Sequence, residues 1–212
     1  MLERNIVRGW LAPFDISLSD EMIDKLLIYL DLLLKWNQKM NLTAIEVPEV
    51  CVTRHFGESF FILKATQPSG RLLDIGSGAG FPGLAIRLIA PSLDIALLEP
   101  TARKRAFLKE VARACGMDRV GVFDSRLEKF MQTPKQQPFD IITVRAVGGT
   151  ASLVRKATVL LRNGGSFCLW AGGQQIHQIR DSNPDLHWRN PIPIPLSHDR
   201  FILAGVKVHA KS

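Results

Sequence analysis

The fold is decided by the stretch Leu72-Leu73-Asp74-Ile75-Gly76-Ser77-Gly78-Ala79-Gly80-Phe81-Pro82-Gly83. An apolar pair, an acid and three glycines at alternate positions are typical of a strand that leads through a tight turn into a helix. Such a turn lets the backbone approach a ligand where a Cβ would clash. The helix behind the turn offers free N–H groups, and Pro82 suits its first turn because no N–H is needed there.

The glycine spacing indicates which ligand this turn binds. A dinucleotide-binding loop has the pattern G-x-G-x-x-G, which from Gly76 would need a glycine where Phe81 stands. The observed pattern instead resembles the first motif of the class I S-adenosylmethionine (SAM) methyltransferases, whose loop wraps the methionine part of the cofactor. That resemblance implies the following cofactor-binding residues: Asp74, Gly76, Gly78, Gly80 and Phe81. A nucleotide-binding loop or a purely structural turn is the alternative.

Composition and charge limit the class of protein. The chain has 212 residues, of which 46% are hydrophobic, enough for one α/β domain with a modest extra element. No run of 18 apolar residues or signal peptide is evident, and the three cysteines are scattered. We therefore expect a cytoplasmic protein without a membrane span, disulfide framework or metal site. The formal net charge of +7 favours an anionic partner such as nucleic acid.

The N-terminal part of the sequence is predicted to be helical. Ser19 caps a run with acids in its first turn, and its leucines and isoleucines recur at helical spacing. A second helical stretch is predicted over residues 50–63. We expect residues 1–65 to form a helical cap that packs on a methyltransferase core of residues 66–212, as one structural domain overall.

Strand and helix patterns alternate from residue 71 onward. Strands are predicted at 71–75, 94–98, 120–123, 139–144 and 166–170, and helices at 82–89, 101–115, 126–131 and 149–161. A proline-rich edge segment at 190–196 and a strand at 200–208 are predicted to form a closing hairpin. This order predicts an α/β protein with the class I SAM-methyltransferase, Rossmann-like fold: a seven-stranded, mostly parallel sheet with helices on both faces and the N-terminal helical cap.

Ligands of such sheets bind at the carboxyl ends of the strands, where three acidic side chains stand. Glu99 ends the second strand, and a carboxylate there can accept hydrogen bonds from both ribose hydroxyls of an adenosine. Its alternative is a solvated carboxylate. The third strand is followed by Asp124 and Glu128, near which we expect the adenine; both acids are equally suited to capping the next helix.

The fourth strand ends in Arg145, at the position that faces the methyl group in class I enzymes. The chain has neither the Asn/Asp-Pro-Pro-aromatic motif of amino-methylating enzymes nor a cysteine placed for C5-pyrimidine chemistry. An arginine there suggests an acceptor that loses no proton, such as guanine N7, whose attack needs alignment rather than a general base. Arg145 is therefore the predicted catalytic residue, donating to guanine O6. The alternative is an arginine paired with a helix acid.

Several segments together resemble one family, the 16S rRNA guanine-N7 methyltransferases called RsmG or glucose-inhibited division protein B. The matching residues are Lys35-Trp36-Asn37, Asn41-Leu42-Thr43, Arg54-His55, Glu58-Ser59, Asp74 to Gly83, Lys104-Arg105-Ala106-Phe107-Leu108, Ser125-Arg126-Leu127-Glu128 and Arg145-Ala146. They span roughly residues 15–205.

The resemblance implies direct in-line methyl transfer from SAM to N7 of a guanine in the 530 loop, with S-adenosylhomocysteine as the product and no metal. It implies further cofactor contacts at Glu99, Arg126, Leu127, Glu128 and Arg145. The RNA-binding residues that we expect are Asn41, Arg54, His55, Arg103, Lys104, Arg105 and Arg200. The implied partner is 16S rRNA or the 30S subunit rather than DNA, and we expect a monomer.

The chain departs from the family pattern at three positions. The usual lysine at the end of the fifth strand is absent beside Trp170, Phe201 replaces a histidine, and Glu58 replaces an aspartate. Trp170 is a candidate to stack on a base instead. The alternatives are a SAM methyltransferase of another RNA, a protein or a small molecule, and an RNA-associated factor that holds SAM without turnover. A nicotinamide dehydrogenase is the least favoured.

Overall fold

A computed structural model describes residues 2–134, 137–145, 148 and 150–208 of the chain. Within those ranges every helix is too short or too polar to span a lipid bilayer. The N-terminal helices are α1 (Arg4–Leu11), α2 (Asp20–Met40), α3 (Pro48–Cys51), a π-helical turn (Val52–Gly57), α4 (Glu58–Phe60) and a 3-10 turn (Phe61–Lys64). The last four follow one another without a break, which confirms the helical stretch predicted around residues 50–63.

Helix α2 begins and ends as its sequence predicts. The Ser19 hydroxyl accepts a hydrogen bond from the Met22 N–H at 3.2 Å, and acids occupy the first turn, where the helix dipole favours them. The residue that caps the C-terminus of the helix is Asn41, which adopts a left-handed conformation with φ 50°. Asparagine tolerates that conformation better than other non-glycine residues. The structural role considered for Asn41 is therefore present.

The described strands form one eight-stranded sheet. Its strands are β1 (Arg71–Ile75), β2 (Asp94–Leu98), β3 (Val120–Phe123), β4 (Phe139–Arg145), β5 (Leu161–Gly172), β6 (Leu186–Trp188), β7 (Ile192–Pro193) and β8 (Arg200–Lys207). Strands β1 to β5 are parallel, and β8 is antiparallel to β5. The strand order is β3-β2-β1-β4-β5-β8-β6. The two-residue β7 also pairs with β8, which gives one strand more than the seven predicted.

The remaining helices connect the strands. They are α5 (Gly83–Ile89), α6 (Ala102–Ala114), α7 (Leu127–Met131), α8 (Thr150–Ala157) and α9 (Gly173–Asp181). Strands β1, β2 and β3 have the predicted bounds, whereas β5 extends beyond the predicted segment at both ends. The sequence does not predict α9 and β6, because α9 buries only Ile176 and Ile179 and β6 has three residues.

Apolar cores lie on both faces of the sheet. Leu72 belongs to a core that includes α2, α5 and α6, while Leu73 belongs to a second core that includes α7, α8 and α9. Neighbouring strand residues point to opposite faces, so this division confirms helices on both sides. The N-terminal helices share the first core with the sheet. The domain division at residue 65 stays a prediction.

Candidate active site

The glycine loop after β1 has the left-handed backbone that its sequence requires. Gly76, Gly78 and Gly80 have φ values of 74°, 55° and 89°. Only glycine enters this region without steric penalty. The N–H groups of Gly76 and Ser77 both donate to the Leu98 carbonyl at 3.0 Å. The loop is thereby tied to the carboxyl end of β2.

Asp74 lies beneath this loop and is fully buried. Its Oδ1 accepts a hydrogen bond from the Thr143 hydroxyl at 2.7 Å, and a Cβ on Gly83 would lie 2.6 Å from the Asp74 Cβ. Burial raises the pKa of the Asp74 carboxyl to about 6, while the Thr143 hydroxyl, the Gly83 N–H and the Arg145 charge act in the opposite direction. Asp74 therefore joins β1 to β4 and to the start of α5 beneath the loop, and its predicted cofactor role stays a prediction.

Glu99 joins the glycine loop to the start of α6. Its Oε2 accepts a hydrogen bond from the Gly78 N–H at 2.9 Å, and its Oε1 accepts one from the Thr101 N–H at 2.8 Å. The side chain is 4% exposed, so the alternative of a solvated carboxylate is wrong. Each carboxylate oxygen has a further lone pair available to a ligand.

A cavity of about 370 Å³ opens beside Gly76. Its lining is mainly apolar and includes four residues predicted to contact the cofactor, namely Gly76, Arg126, Leu127 and Glu128. The other lining residues are Ile75, Leu98, Pro100, Gly148 and Leu153. Arg126 and Glu128 are exposed, and Leu127 is buried. Glu128 forms an ion pair with Lys156 at 2.9 Å, and that contact lowers the pKa of its carboxyl. Arg126 is the N-cap residue of α7, so neither Asp124 nor Glu128 caps that helix.

The glycine loop also contacts the N-terminal helices through an aromatic stack. The Tyr29 hydroxyl donates to the Ala79 carbonyl at 2.5 Å. The Phe81 ring stacks on Tyr29 at 5.2 Å between ring centroids and on His55 at 4.7 Å. Phe81 is 8% exposed, so the structure places it in this stack rather than in the cavity lining.

His55 is held by the loop that follows α2. Its Nε2 lies 2.9 Å from the Thr43 hydroxyl, and the Thr43 N–H donates to the Asn37 side-chain oxygen at 2.8 Å. The conspicuous Trp-Asn and Asn-Leu-Thr segments thus position this imidazole. Burial, followed by the positive charges of Arg145 and Arg54, lowers the pKa of His55 to about 3. The imidazole is therefore neutral and weakly basic at neutral pH.

Three of the predicted residues meet at one carboxylate. Glu58 Oε2 accepts from Arg145 Nη2 at 3.1 Å, and Glu58 Oε1 accepts from Arg200 Nη2 at 2.6 Å. Arg54 Nε lies 3.9 Å from Glu58 Oε1. Burial lowers the pKa of Arg145, against the effect of Glu58. The helix-acid pairing considered for Arg145 is therefore present, but its buried Nη1 has no partner among the described residues.

This arginine cluster, formed by Arg54, Arg145 and Arg200 around Glu58, lies beside the cavity. Arg145 follows Val144, which pairs with Ile75 of the neighbouring strand β1. The next residue after Ile75 is Gly76, and both line the cavity. Sequence reasoning did not assign a role to Glu58, because only its departure from the family aspartate marked it.

The structure does not support base stacking by Trp170. Its side chain is 8% exposed, and its indole N–H donates to the Glu58 carbonyl oxygen at 2.7 Å. A ring already buried against the protein has no face available to a base. Trp170 is a support for the segment that carries Glu58. Ala146, which follows Arg145 and was matched to the family with it, lies outside the described residues.

The other predicted RNA-binding residues lie at the start of α6. Arg105 Nη1 donates to the Pro100 carbonyl at 2.7 Å and to Asp124 Oδ1 at 2.9 Å, so it joins the ends of β2 and β3. Arg103 and Lys104 form no ion pair with any described residue. The structure does not bring these three residues into the arginine cluster.

The residues present fit SAM. An apolar cavity of about 370 Å³ suits an adenine ring, and Glu99 beside it supplies lone pairs for ribose hydroxyls. The described residues contain no group of three or more side chains arranged to hold a metal ion. Together, the strand order, the glycine loop and this cavity define the class I SAM methyltransferase architecture.

Comparison with solved structures agrees with this class. The ribosomal protein L11 methylase of Lactobacillus delbrueckii subsp. bulgaricus aligns over 74% of this chain and 79% of its own, with a TM-score of 0.60 and 14% identity. TrmN of Thermus thermophilus aligns over 71% of this chain and 48% of its own, with a TM-score of 0.58 and 16% identity. At these identities the likeness shows the fold alone.

Sequence relatives identify the family. Residues 22–192 match the GidB family, described as rRNA small subunit methyltransferase G. The protein of that name from Desulfitobacterium hafniense (strain Y51) is 36% identical over 173 residues, which are 81% of this chain and 72% of that protein. The protein of the same name from Syntrophotalea carbinolica is 28% identical over 202 residues, which are 95% of this chain and 93% of that protein. The chain belongs to the rRNA small subunit methyltransferase G family, as its motifs indicated.

Proposed function

We propose that this protein methylates N7 of a guanine in the 530 loop of 16S rRNA, with SAM as the methyl donor. The observation that carries the proposal is the arginine cluster of Arg145, Arg200 and Arg54 beside the cavity that fits SAM, in a chain that matches the rRNA small subunit methyltransferase G family. The net charge of +7 supports an anionic partner. We further propose that a monomer acts on 16S rRNA or on the 30S subunit, in the cytoplasm.

The cavity residues have distinct tasks in this proposal. The glycine loop, Glu99 and the backbone at Arg126 to Glu128 hold the cofactor, and Asp74 keeps the loop in place. Bound SAM supplies an electrophilic methyl group. Arg145 donates to guanine O6, which leaves the N7 lone pair free to react. A bidentate contact to both atoms would occupy that lone pair.

The His55 imidazole beside the arginine cluster suits an acceptor that loses no proton. Guanine N7 has a lone pair and no hydrogen, so alignment rather than a general base promotes its reaction. His55 has a pKa of about 3, which makes it a poor base. Arg54, His55 and Arg200 face the RNA in this proposal, with Asn41, Arg103 and Lys104 as outer contacts.

The cysteines argue against methylation through a covalent pyrimidine adduct. Cys51, Cys115 and Cys168 are all buried, and burial raises the pKa of their thiols to about 11, 11 and 12. The thiolate is the nucleophilic form, so a raised pKa leaves these thiols inert. This supports an acceptor that attacks the methyl group directly.

The test is transfer of radiolabelled methyl from SAM to 30S subunits that lack the modification, followed by nucleoside analysis. We expect the label in 7-methylguanosine. Naked 16S rRNA, free nucleotides and an unrelated RNA serve as parallel substrates. Label in another nucleoside or only in a small molecule would overturn the assignment, and SAM binding without label in any substrate would indicate a factor without turnover.

A further inference from the structure

Glu58 is a buried carboxylate that contacts the functional arginines. It is 1% exposed, and its neighbours along the chain are buried as well. Oε1 accepts hydrogen bonds from both Nε and Nη2 of Arg200, at 3.0 and 2.6 Å, while Oε2 accepts from Arg145 Nη2 at 3.1 Å. Arg54 completes the cluster, with its Nε 3.9 Å from Glu58 Oε1. A fully buried acid is rare in proteins, and the burial of Glu58 is tolerated because charged partners surround it.

The charges of the arginine cluster do not balance. Three guanidinium groups surround the single carboxylate of Glu58, so two positive charges remain in excess. Like charges close together repel each other unless a counter-charge holds them in place. Glu58 is the only acid that forms an ion pair with these arginines within the described part of the chain. Without it, these guanidinium groups would have no ion-pair partner among the described residues.

The backbone of Glu58 is fixed independently of its carboxylate. The Trp170 indole N–H donates to the Glu58 carbonyl oxygen at 2.7 Å, from strand β5. Ser59, the next residue, donates from its hydroxyl to the His55 carbonyl at 2.5 Å. Arg145 Nη2 donates to the Arg54 carbonyl at 2.6 Å. The carboxylate is therefore presented from a rigid segment, which is what precise positioning of other side chains requires.

We propose that Glu58 is a positioning residue: it binds the Nη2 side of Arg145 and thereby fixes the orientation of the guanidinium that the proposed function assigns to the target guanine. This inference rests on the proposed function. The same carboxylate holds Arg200 and, more loosely, Arg54, so that the excess positive charge stays beside the cavity. Glu58 itself touches neither the base nor the cofactor in this role.

The decisive variant is Glu58→Gln, which keeps the size of the side chain and removes its charge. The number of unbalanced positive charges rises from two to three, so binding of 30S subunits should not weaken and its salt dependence should steepen. Turnover should fall by about 10- to 100-fold, because a shift of about 1 Å in a substrate-positioning group has effects of this size. The expected signature is thus a lower kcat with an unchanged or lower KM for 30S subunits.

Two further variants separate positioning from folding. Glu58→Asp retains the charge on a shorter side chain and should recover part of the lost kcat. Trp170→Phe removes the hydrogen bond to the Glu58 carbonyl oxygen but keeps an aromatic ring. It should also lower kcat, by a smaller factor than Glu58→Gln. If Glu58→Gln does not fold, these two variants decide. The matched control is Asp118→Asn, which removes a carboxylate from the buried Arg87 far from the cluster and should leave kcat and KM unchanged.

A measurement without substrate tests the geometry directly. In the ¹H–¹⁵N spectrum of the wild-type protein, the Arg200 Nε–H, bound to Glu58, should exchange slowly with water; in Glu58→Gln it should exchange at the rate of a free arginine. An unchanged kcat in folded Glu58→Gln, or a raised KM alone, would overturn the inference while the proposed function stands. No methyl transfer to 30S subunits by the wild-type protein would overturn the proposed function, and the inference with it.

Discussion

At the scale of the residue, Arg145 carries the proposed contact with the target base. Arg145→Lys keeps one positive charge but cannot donate to Glu58 and to a base at once from a planar group. A hydrogen bond to a charged group contributes about 1.5–3 kcal/mol, so we expect kcat to fall by about 10- to 100-fold. Calorimetry should show a SAM dissociation constant within about 3-fold of the wild type. A weakened SAM affinity with an unchanged kcat would reverse the assigned role.

Glu99 is expected to affect SAM binding more than turnover. In Glu99→Gln, one carboxylate oxygen becomes an amide N–H₂ group that faces a backbone N–H of the loop or of Thr101. The loss of these charged hydrogen bonds should raise the SAM dissociation constant by about 10- to 100-fold. Glu21→Gln is the matched control, because that side chain is exposed and its ion pair with Lys25 contributes only about 0–1 kcal/mol. Equal effects of the two variants on calorimetric affinity would contradict the ribose role of Glu99.

His55 predicts a specific pH dependence of stability. Its pKa is about 3 in the folded protein against an ordinary value of 6.5, so between these values the unfolded chain binds more protons. Stability is therefore complete above about pH 6.5 and falls as the pH falls toward 3, by up to about 1.4 kcal/mol for each pH unit. His55→Gln should lose this component relative to the wild type. Urea unfolding at several pH values measures the difference.

The control for this comparison is His177→Gln, which replaces an exposed histidine of α9. Its pH profile should parallel that of the wild type. Asp74 contributes a slope of opposite sign between about pH 4 and 6, because its pKa is raised to about 6. The comparison of variants, rather than the raw profile, therefore isolates the imidazole. Parallel profiles for His55→Gln and the wild type would show that burial does not shift this group.

At the scale of the element, the glycine loop is fitted against helix α2. A Cβ on Gly80 would lie 2.2 Å from the Tyr29 hydroxyl oxygen, and the residue has φ 89°. Gly116 also has a positive φ, 61°, but a Cβ there meets nothing within 4 Å. Gly116→Ala should therefore cost only the backbone strain, about 1–2 kcal/mol, and should leave SAM binding unchanged. Gly80→Ala should cost more and should also weaken SAM binding.

Thermal unfolding and SAM calorimetry of both glycine variants check this prediction. The Tyr29→Phe variant adds a separate measure of the same contact, because it removes only the hydroxyl that donates to Ala79. Equal losses in the two glycine variants, with normal SAM affinity in both, would show that the loop is not constrained by the helix.

The elements of the fold were predictable where their signal is local. Strands β1 to β3 have the predicted bounds because apolar runs and glycine or acidic ends mark them. Helix α9 carries few apolar residues, and β7 is defined by pairing with β8 rather than by its own two residues. The same distinction holds in the site. Glu99 follows from its place after a strand, whereas Glu58 meets Arg145 and Arg200 only through the fold, across 87 and 142 residues of chain.

At the scale of the whole molecule, the positive charge predicts a strong salt dependence of RNA binding. If Arg103 and Lys104 contact phosphates, the double variant Arg103→Gln/Lys104→Gln should reduce the slope of log K against log salt by about 1.4, at about 0.7 for each contact. Arg162→Gln is the control, because Arg162 is an exposed arginine at the amino end of β5. Filter binding across a salt series gives both slopes. An equal change in the control would place the RNA on another face.

The stack of Tyr29, Phe81 and His55 gives the molecule one further property. Phe81 belongs to the cofactor loop, yet its ring lies against an imidazole next to the arginine cluster. We therefore infer that displacement of this ring by SAM would alter the proposed RNA-binding site, and the reverse. Equilibrium linkage makes such an influence mutual: the factor by which SAM alters affinity for RNA must equal the factor by which RNA alters affinity for SAM. The coupling between the two substrates is therefore one free energy, and we infer that the packing of the Phe81 ring contributes to it.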